Sequence, residues 1–172
     1  MEKLSDLGKL KKDPLARALI RAALLAVAAV VVFRFVLGVG ACRGNSMYPA
    51  LKDGDLIIFS RLGLPSQGDI AVCKKTSGSG ASFFRVAATE GMEVDITGNG
   101  EFTTNGYAEL GTAETTREKE GSDISFPLTV GEGQLFLLND NRSENEDSRA
   151  FGSVSKREII GKVVFVLRRR GF

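Results

Sequence analysis

The chain has 172 residues, 43% of them apolar and 26% charged, with a formal net charge of +2 and no histidine. That length suits one domain with a real core, and a mean hydropathy near zero excludes both wholesale disorder and a polytopic membrane protein. Without histidine there is no Ser-His-Asp triad, Cys-His dyad, HExxH zinc site or imidazole shuttle, so hydrolysis would run on Lys, Asp, Glu, Tyr or a bare nucleophile.

Residues 1–21 form a basic N-terminus, where Lys3, Lys9, Lys11, Lys12, Arg17 and Arg21 outweigh Glu2, Asp6 and Asp13. Ala22 to Val39 then reads AALLAVAAVVVFRFVLGV, interrupted only by Arg34. At the helical rise per residue this run just crosses a hydrocarbon core. Arg34 is close enough to its end to snorkel to the interface. We read residues 22–40 as a single transmembrane anchor. The basic flank puts the N-terminus in the cytoplasm and residues 41–172 outside it. Ala41-Cys42-Arg43-Gly44 is a poor cleavage site, and Gly38-Val39-Gly40-Ala41 lacks the Leu of a lipoprotein signal. The nearly all-round apolar character argues against a buried amphipathic helix.

Past residue 41 short strand-like runs alternate with Gly, Asp, Asn and Ser punctuation. The runs are Asp55–Ser60, Asp69–Lys74, Ser82–Ala87, Glu93–Ile96, Gln134–Leu138 and Lys162–Leu167. Thr76 to Gly80 reads as a hairpin tip and Asn105-Gly106 as a tight turn. Ser155-Lys156-Arg157-Glu158 has the form of a capping box, the one short helical signal. The expected body is a mostly-β domain of about 130 residues. Carboxylates far outnumber Arg117, Lys119 and Arg142 over residues 101–147, which reads as a solvated acidic loop surface around Glu114 to Asp123. No basic stripe interleaved with aromatics is present, so no nucleic-acid partner is expected. Arg168-Arg169-Arg170 is a charged chain end that could touch anionic headgroups. Cys42 and Cys73 are too few for a disulfide framework or a metal site and read as small buried thiols. No cofactor or metal is expected.

Two segments carry possible site chemistry. In Gly44-Asn45-Ser46-Met47-Tyr48-Pro49-Ala50-Leu51 a serine between Gly and Met-x-Pro can sit on a rigid turn, presenting its hydroxyl and its own N–H to a carbonyl. The stretch Asn139 to Gly152 packs short polar side chains between apolar runs, as in a hydrogen-bonded turn network with Asp147–Arg149 or Asp140–Arg142 pairs. Taken alone, each segment also fits an ordinary turn or polar surface loop.

Together these residues resemble the bacterial type I signal peptidase family, membrane-anchored serine proteases of peptidase S26 type. Gly44-Asn45-Ser46-Met47-Tyr48-Pro49 is similar to the nucleophile box GxSMxP. Gly54-Asp55 and Gly68-Asp69-Ile70 fall where the family has Gly-Asp boxes. Asp140-Asn141-Arg142 and Asp147-Ser148-Arg149-Ala150-Phe151-Gly152 are close to GDNRxxSxDSRxxG, and Gly161-Lys162-Val163 is also typical. The resemblance implies a single transmembrane helix followed by a signal-peptidase-like antiparallel β domain. Ser46 would be the nucleophile and Met47 and Pro49 binding residues. Asp140, Asn141, Arg142, Asp147, Ser148 and Arg149 would form a structural network near the site.

The same resemblance exposes departures. Phe84 stands where the family carries its general-base lysine, Glu90 and Met92 replace a Pro and an Asp, Asn139 replaces a Gly, and Asn145 replaces a supporting Ser. Serine needs an adjacent base to be a nucleophile, and a phenyl ring cannot accept a proton. The sequence therefore implies a member that binds extended segments of exported preproteins or pilin-like proteins and is impaired in signal-peptide cleavage, with a pilin-assembly chaperone as the sharpest version. The alternative is an active signal peptidase using Ser46 with a displaced lysine, Lys52, Lys74 or Lys75. Membrane lipid is the remaining expected partner.

Overall fold

The computed structural model describes residues 14–74, 81–109 and 115–168. Two compact units divide near residue 37. The first contains helix α1, Pro14–Val31, which runs on as one π-helical turn, Val32–Val36. Proline opens it where a missing N–H costs nothing, and Arg17 and Arg21 continue it because both are good helix formers. The helix thus starts well before the expected Ala22. It ends at Val36, since Leu37 is extended with φ −112° and ψ 151°. The 23 residues Pro14–Val36 have mean hydropathy 2.4 and none of the window is buried in protein. With no protein surface to cover them, Leu24, Leu25, Val27 and Val30 suit a lipid environment.

The second unit is antiparallel β, as the alternating runs lead one to expect. Strands β1 (Leu37–Ala41), β2 (Leu56–Ser60), β3 (Ile70–Lys74), β4 (Ala81–Thr89), β9 (Gln134–Leu138), β10 (Val154–Ser155) and β11 (Ile159–Leu167) form a seven-stranded sheet. Its order is β1-β2-β11-β3-β4-β9-β10. Strands β5 (Glu93–Ile96), β6 (Phe102–Thr104), β7 (Tyr107–Ala108) and β8 (Leu128–Thr129) form a smaller sheet, ordered β7-β6-β5-β8. The Asn105-Gly106 turn joins β6 to β7 with φ 51° and 78°, the left-handed pair a tight hairpin needs. The run Leu37–Ala41, read in sequence as the end of the anchor, is instead an edge strand. The stretch expected to cap a helix forms a single 3₁₀ turn, Lys156–Glu158, in which Ser155 Oγ accepts from Arg157 N–H. The expected hairpin tip, Thr76 to Gly80, lies outside the described residues.

Period-two alternation sorts the core by sheet face. Val72 and Phe83 pack with Cys42, Met47, Leu51, Ile57 and Phe59 on one face of β3–β4. Their neighbours Ala71, Cys73, Phe84 and Val86 pack with Leu135 and Leu137 on the other. A third cluster joins the two sheets, with Phe136 stacked on Phe102 and edge-on to Phe126. Burying each such aromatic contributes roughly 1.5–3 kcal/mol. Strand β11 crosses β2 so closely at Gly161 that a Cβ there would meet the Ser60 carbonyl oxygen and the Phe59 ring. Gly161→Ala is accordingly expected to lower unfolding free energy in urea by about 1–3 kcal/mol.

Candidate active site

Ser46 sits on a turn between β1 and β2 that is fastened from three sides. Below it, Met47 and Leu51 are fully buried in the core cluster. Within it, Tyr48 N–H donates to Asn45 O at 3.0 Å and Leu51 N–H to Met47 O at 2.8 Å. The Tyr48–Pro49 peptide is cis. Behind it, the buried Asp55 carboxylate accepts from Lys52 N–H at 2.9 Å, and Cys42 and Asp55 are bonded through their backbones. From the side, Asn141 N–H donates to Ser46 O at 2.9 Å and Asn141 Nδ2 to Asn45 O at 3.3 Å. Ser46 is half-buried, and its Oγ has no hydrogen-bond partner among the described residues.

The polar stretch after β9 supplies that side support. Asp147 caps the short helix α2 (Ser148–Phe151) by accepting from Arg149 N–H, and its Oδ2 accepts from Asn139 N–H at 3.0 Å. Arg149, only 1% exposed, is held by Asp147 through Nε at 2.9 Å and Nη2 at 2.7 Å. Its guanidinium also donates to the carbonyls of Arg142 and Glu144. Ser148 Oγ accepts from Leu137 N–H at 2.9 Å. The Asp147–Arg149 pair is as expected, but Asp140 and Arg142 do not pair. Asp140 forms a bidentate pair with Arg85 of β4, at 2.9 and 2.5 Å, while Arg142 reaches the other way to Glu109 at 2.6 Å. Two residues apart in a turn, their side chains leave in different directions. This asymmetry ties the loop to both sheets: Arg142 also lies over the Phe102 ring, 5.8 Å from its centroid.

Ser46 opens into a cleft of about 510 Å³. Its walls are the edge strand β1 from Val39 to Ala41 with Cys42 just after it, and the first half of β4, Ala81 to Phe84, with Phe59 and Ile160 also lining it. Asn139, Glu144 and Glu146 close the Ser46 end. Met47 and Pro49 do not line it: Met47 points into the core and Pro49 is exposed beyond the turn. Phe84 does line it. Its ring meets Phe151 of α2 edge-on, centroids 6.1 Å apart, and packs with the cluster around Ala71, Cys73 and Leu137. Among the described residues lining the cleft there is no lysine, and its cationic side chains are Arg43 and Arg61. Asn139 is buried, donates through Nδ2 to Glu144 O at 3.2 Å, and its Oδ1 has no partner among the described residues.

Compared with known proteins, residues 15–168 match the family described as signal peptidase, peptidase S26. The chain belongs to that family. It is similar to signal peptidase IB of Staphylococcus aureus, 26% identical over 166 residues that cover 82% of this chain and 84% of that protein. Signal peptidase I of Bacillus amyloliquefaciens is 27% identical over 159 residues, covering 85% and 82%. Among solved structures, signal peptidase I from Enterococcus faecalis V583 aligns with a TM-score of 0.48 and 24% identity, over 59% of this chain and 98% of that one.

In this member of the signal peptidase family neither Lys52 nor Lys74 lines the Ser46 cleft. Lys52 is exposed, with its ammonium over the Tyr48 ring at 5.5 Å from the centroid. Lys74 is exposed at the far end of β3, opposite Ala81, and Lys75 lies outside the described residues. The two cysteines pack on opposite faces of the sheet, Cys42 with Met47 and Cys73 with Ala71, and both are free. Burial raises both thiols and pushes Cys73 up to about 12. Neither is expected to alkylate with iodoacetamide at pH 8 in the folded chain, whereas both should in denaturant; mass spectrometry reads the difference.

Proposed function

We propose that this signal peptidase family member is a membrane-anchored protein that binds extended segments of exported proteins in the Ser46 cleft and holds them without efficient cleavage. The observation that carries the reading is the cleft itself. Ser46 is kept on a braced turn, Phe84, which the motif resemblance aligns with the family's lysine, lines the cleft and packs against Phe151, and no lysine lines the walls among the described residues. A serine hydroxyl without a base is a poor nucleophile, and general-base help is worth roughly 10²–10⁴-fold.

Binding can survive that loss because it uses backbone. Strand β1 ends the seven-stranded sheet, and β4 pairs with β9 only from Arg85 onward, so among the described residues Ala81 to Phe84 leave one edge unpaired. Two free edges facing one cleft suit a segment that adds as a strand, with side chains directed at Phe59, Phe83 and Ile160. The basic flank before α1 favours a cytoplasmic N-terminus and an extracytoplasmic body. Exported preproteins are the client class, and pilin-like subunits suit a holder best, because their unpaired strand edges aggregate unless covered.

Full-length chain in vesicles, offered a fluorescent peptide spanning a signal-peptide junction, tests the binding. Wild type and Ser46→Ala should bind equally, and Ser46→Trp, which fills the cleft, should bind at least about tenfold more weakly. Equal binding by all three would remove the cleft from the account. The alternative, an active signal peptidase with a displaced lysine, is favoured by one observation, the retention of Ser46 on so well-braced a turn.

A further inference from the structure

We propose that the Ser46 end of the cleft is a subsite for a lysine side chain of the bound segment, whose ammonium is received by Asn139 Oδ1 and the Glu144 carboxylate. The inference rests on the reading of the cleft as a site for extended segments, and it names what such a segment carries.

Asn139 carries an acceptor with nothing to accept. It is 1% exposed and lines the cleft together with Ser46, Glu144 and Glu146. Its backbone N–H donates to Asp147 Oδ2 at 3.0 Å, and its Nδ2 donates to Glu144 O at 3.2 Å. The second bond fixes which way the amide faces, because exchanging Nδ2 and Oδ1 would set two oxygens against each other. Oδ1 is left without a partner among the described residues. A buried acceptor with no donor is costly, and a donor entering this end of the cleft removes the cost.

The surrounding charges decide what kind of donor fits. From Asp140 to Arg149 every charged side chain but one is paired: Asp140 with Arg85, Arg142 with Glu109, Glu146 with Lys119 and Asp147 with Arg149. The exception among the described residues is Glu144, which lines the cleft and meets Asn139 and Arg149 through its carbonyl rather than its carboxylate. Glu146 shows the same rim already holding one ammonium, Lys119 Nζ at 2.7 Å. The cleft's arginines belong to other elements: Arg43 follows β1, and Arg61 follows β2 with its guanidinium over the Phe59 ring at 5.3 Å. A lysine ammonium brings three donors and no acceptor, which suits a rim that offers only oxygens. Its four-carbon stem needs an apolar wall, and Phe84 supplies one. Arg85 is opposite Leu138, so Phe84 and Asn139, the next residue on each strand, come off adjacent positions. The Phe84 ring is held edge-on by Phe151 and lines the same cleft. Lysine stems lie along such surfaces while the charged head stays with polar groups.

Full-length chain in vesicles would be offered a fluorescent signal-peptide-junction peptide in which lysine, norleucine or glutamate is placed in turn at each position flanking the junction. Norleucine keeps the stem and removes the ammonium. At one position the lysine peptide should bind the unaltered chain at least about fivefold more tightly than its norleucine twin. Glu144→Gln, a change at an exposed side chain, should cut that advantage to less than about twofold, and Asn139→Leu, its fold checked by thermal melting, should do the same. Equal binding of the lysine and norleucine peptides at every position, or a lysine advantage that persists in Glu144→Gln, overturns the subsite and leaves the reading of the cleft standing. A preference for glutamate overturns it too and assigns selection to Arg43. If no peptide binds, or if Ser46→Trp binds them all as the unaltered chain does, the reading of the cleft fails and takes this inference with it.

Discussion

Replacing Phe84 by lysine is expected to raise Ser46-dependent cleavage of a signal-peptide substrate by about 10²–10⁴-fold over the unaltered chain. The physical ground is local. Phe84 lines the Ser46 cleft from β4, at a place where its ring lies against Phe151 and the apolar cluster around Cys73 and Leu137. A lysine there would have its stem in the same apolar surroundings, which lower the pKa of a desolvated ammonium and make it a competent base near neutrality. The control is the double variant Phe84→Lys with Ser46→Ala, which should return cleavage to background. Timed cleavage assays on full-length protein in vesicles read all of these.

The second large effect is on stability. Arg149→Ala is expected to cost about 3–5 kcal/mol, because it strands the fully buried Asp147 carboxylate and unbinds the carbonyls of Arg142 and Glu144. For a domain of this size that is a fall in melting temperature on the order of 10 °C. The change reaches the site through bonds already described. Asp147 holds Asn139, the same loop carries Asn141, and Asn141 braces the Ser46 turn. Arg149→Lys should recover little, since a single ammonium cannot replace two donors to Asp147 and three further contacts to the carbonyls of Arg117, Arg142 and Glu144. Thermal melts followed by circular dichroism in detergent measure the shift. A loss within about 1 kcal/mol would mean the pair is not the keystone of the loop.

The sequence and the structure agree where local pattern suffices. Alternating apolar residues marked β2, β3, β5 and β9 nearly to the residue, and Asn105-Gly106 marked its hairpin, because those signals depend on neighbours along the chain. The Leu37–Ala41 strand was hidden because its residues are as apolar as the helix before them. Only packing of Gly38 and Gly40 against Phe59 and Phe83 distinguishes the two. Helix α1 extended to Pro14 for the complementary reason, that Arg17 and Arg21 sustain a helix although they look like a flank.

At the site, motif spacing was sufficient to bring Ser46, Phe84 and the Asn139 to Gly152 stretch together, and they share one cleft or its supports. Partner choice was not legible. Asp140 and Arg142 are near in sequence, yet Arg85 and Glu109, distant in sequence, are their partners. The family resemblance implies Met47 as a binding residue, but a side chain next to a turn can face inward, and this one is fully buried. In sequence Asn139 is only a departure from a motif, whereas its Oδ1, without a partner among the described residues, is visible only in three dimensions.

The central claim is that the cleft holds segments without cutting them. The most direct test is product formation by the unaltered full-length chain, reconstituted in vesicles with a preprotein and compared with Ser46→Ala. The account predicts bound preprotein in both samples and the same background level of product in each. Cleavage at the signal-peptide junction by the unaltered chain that disappears in Ser46→Ala would contradict it and establish an active signal peptidase with a base other than residue 84.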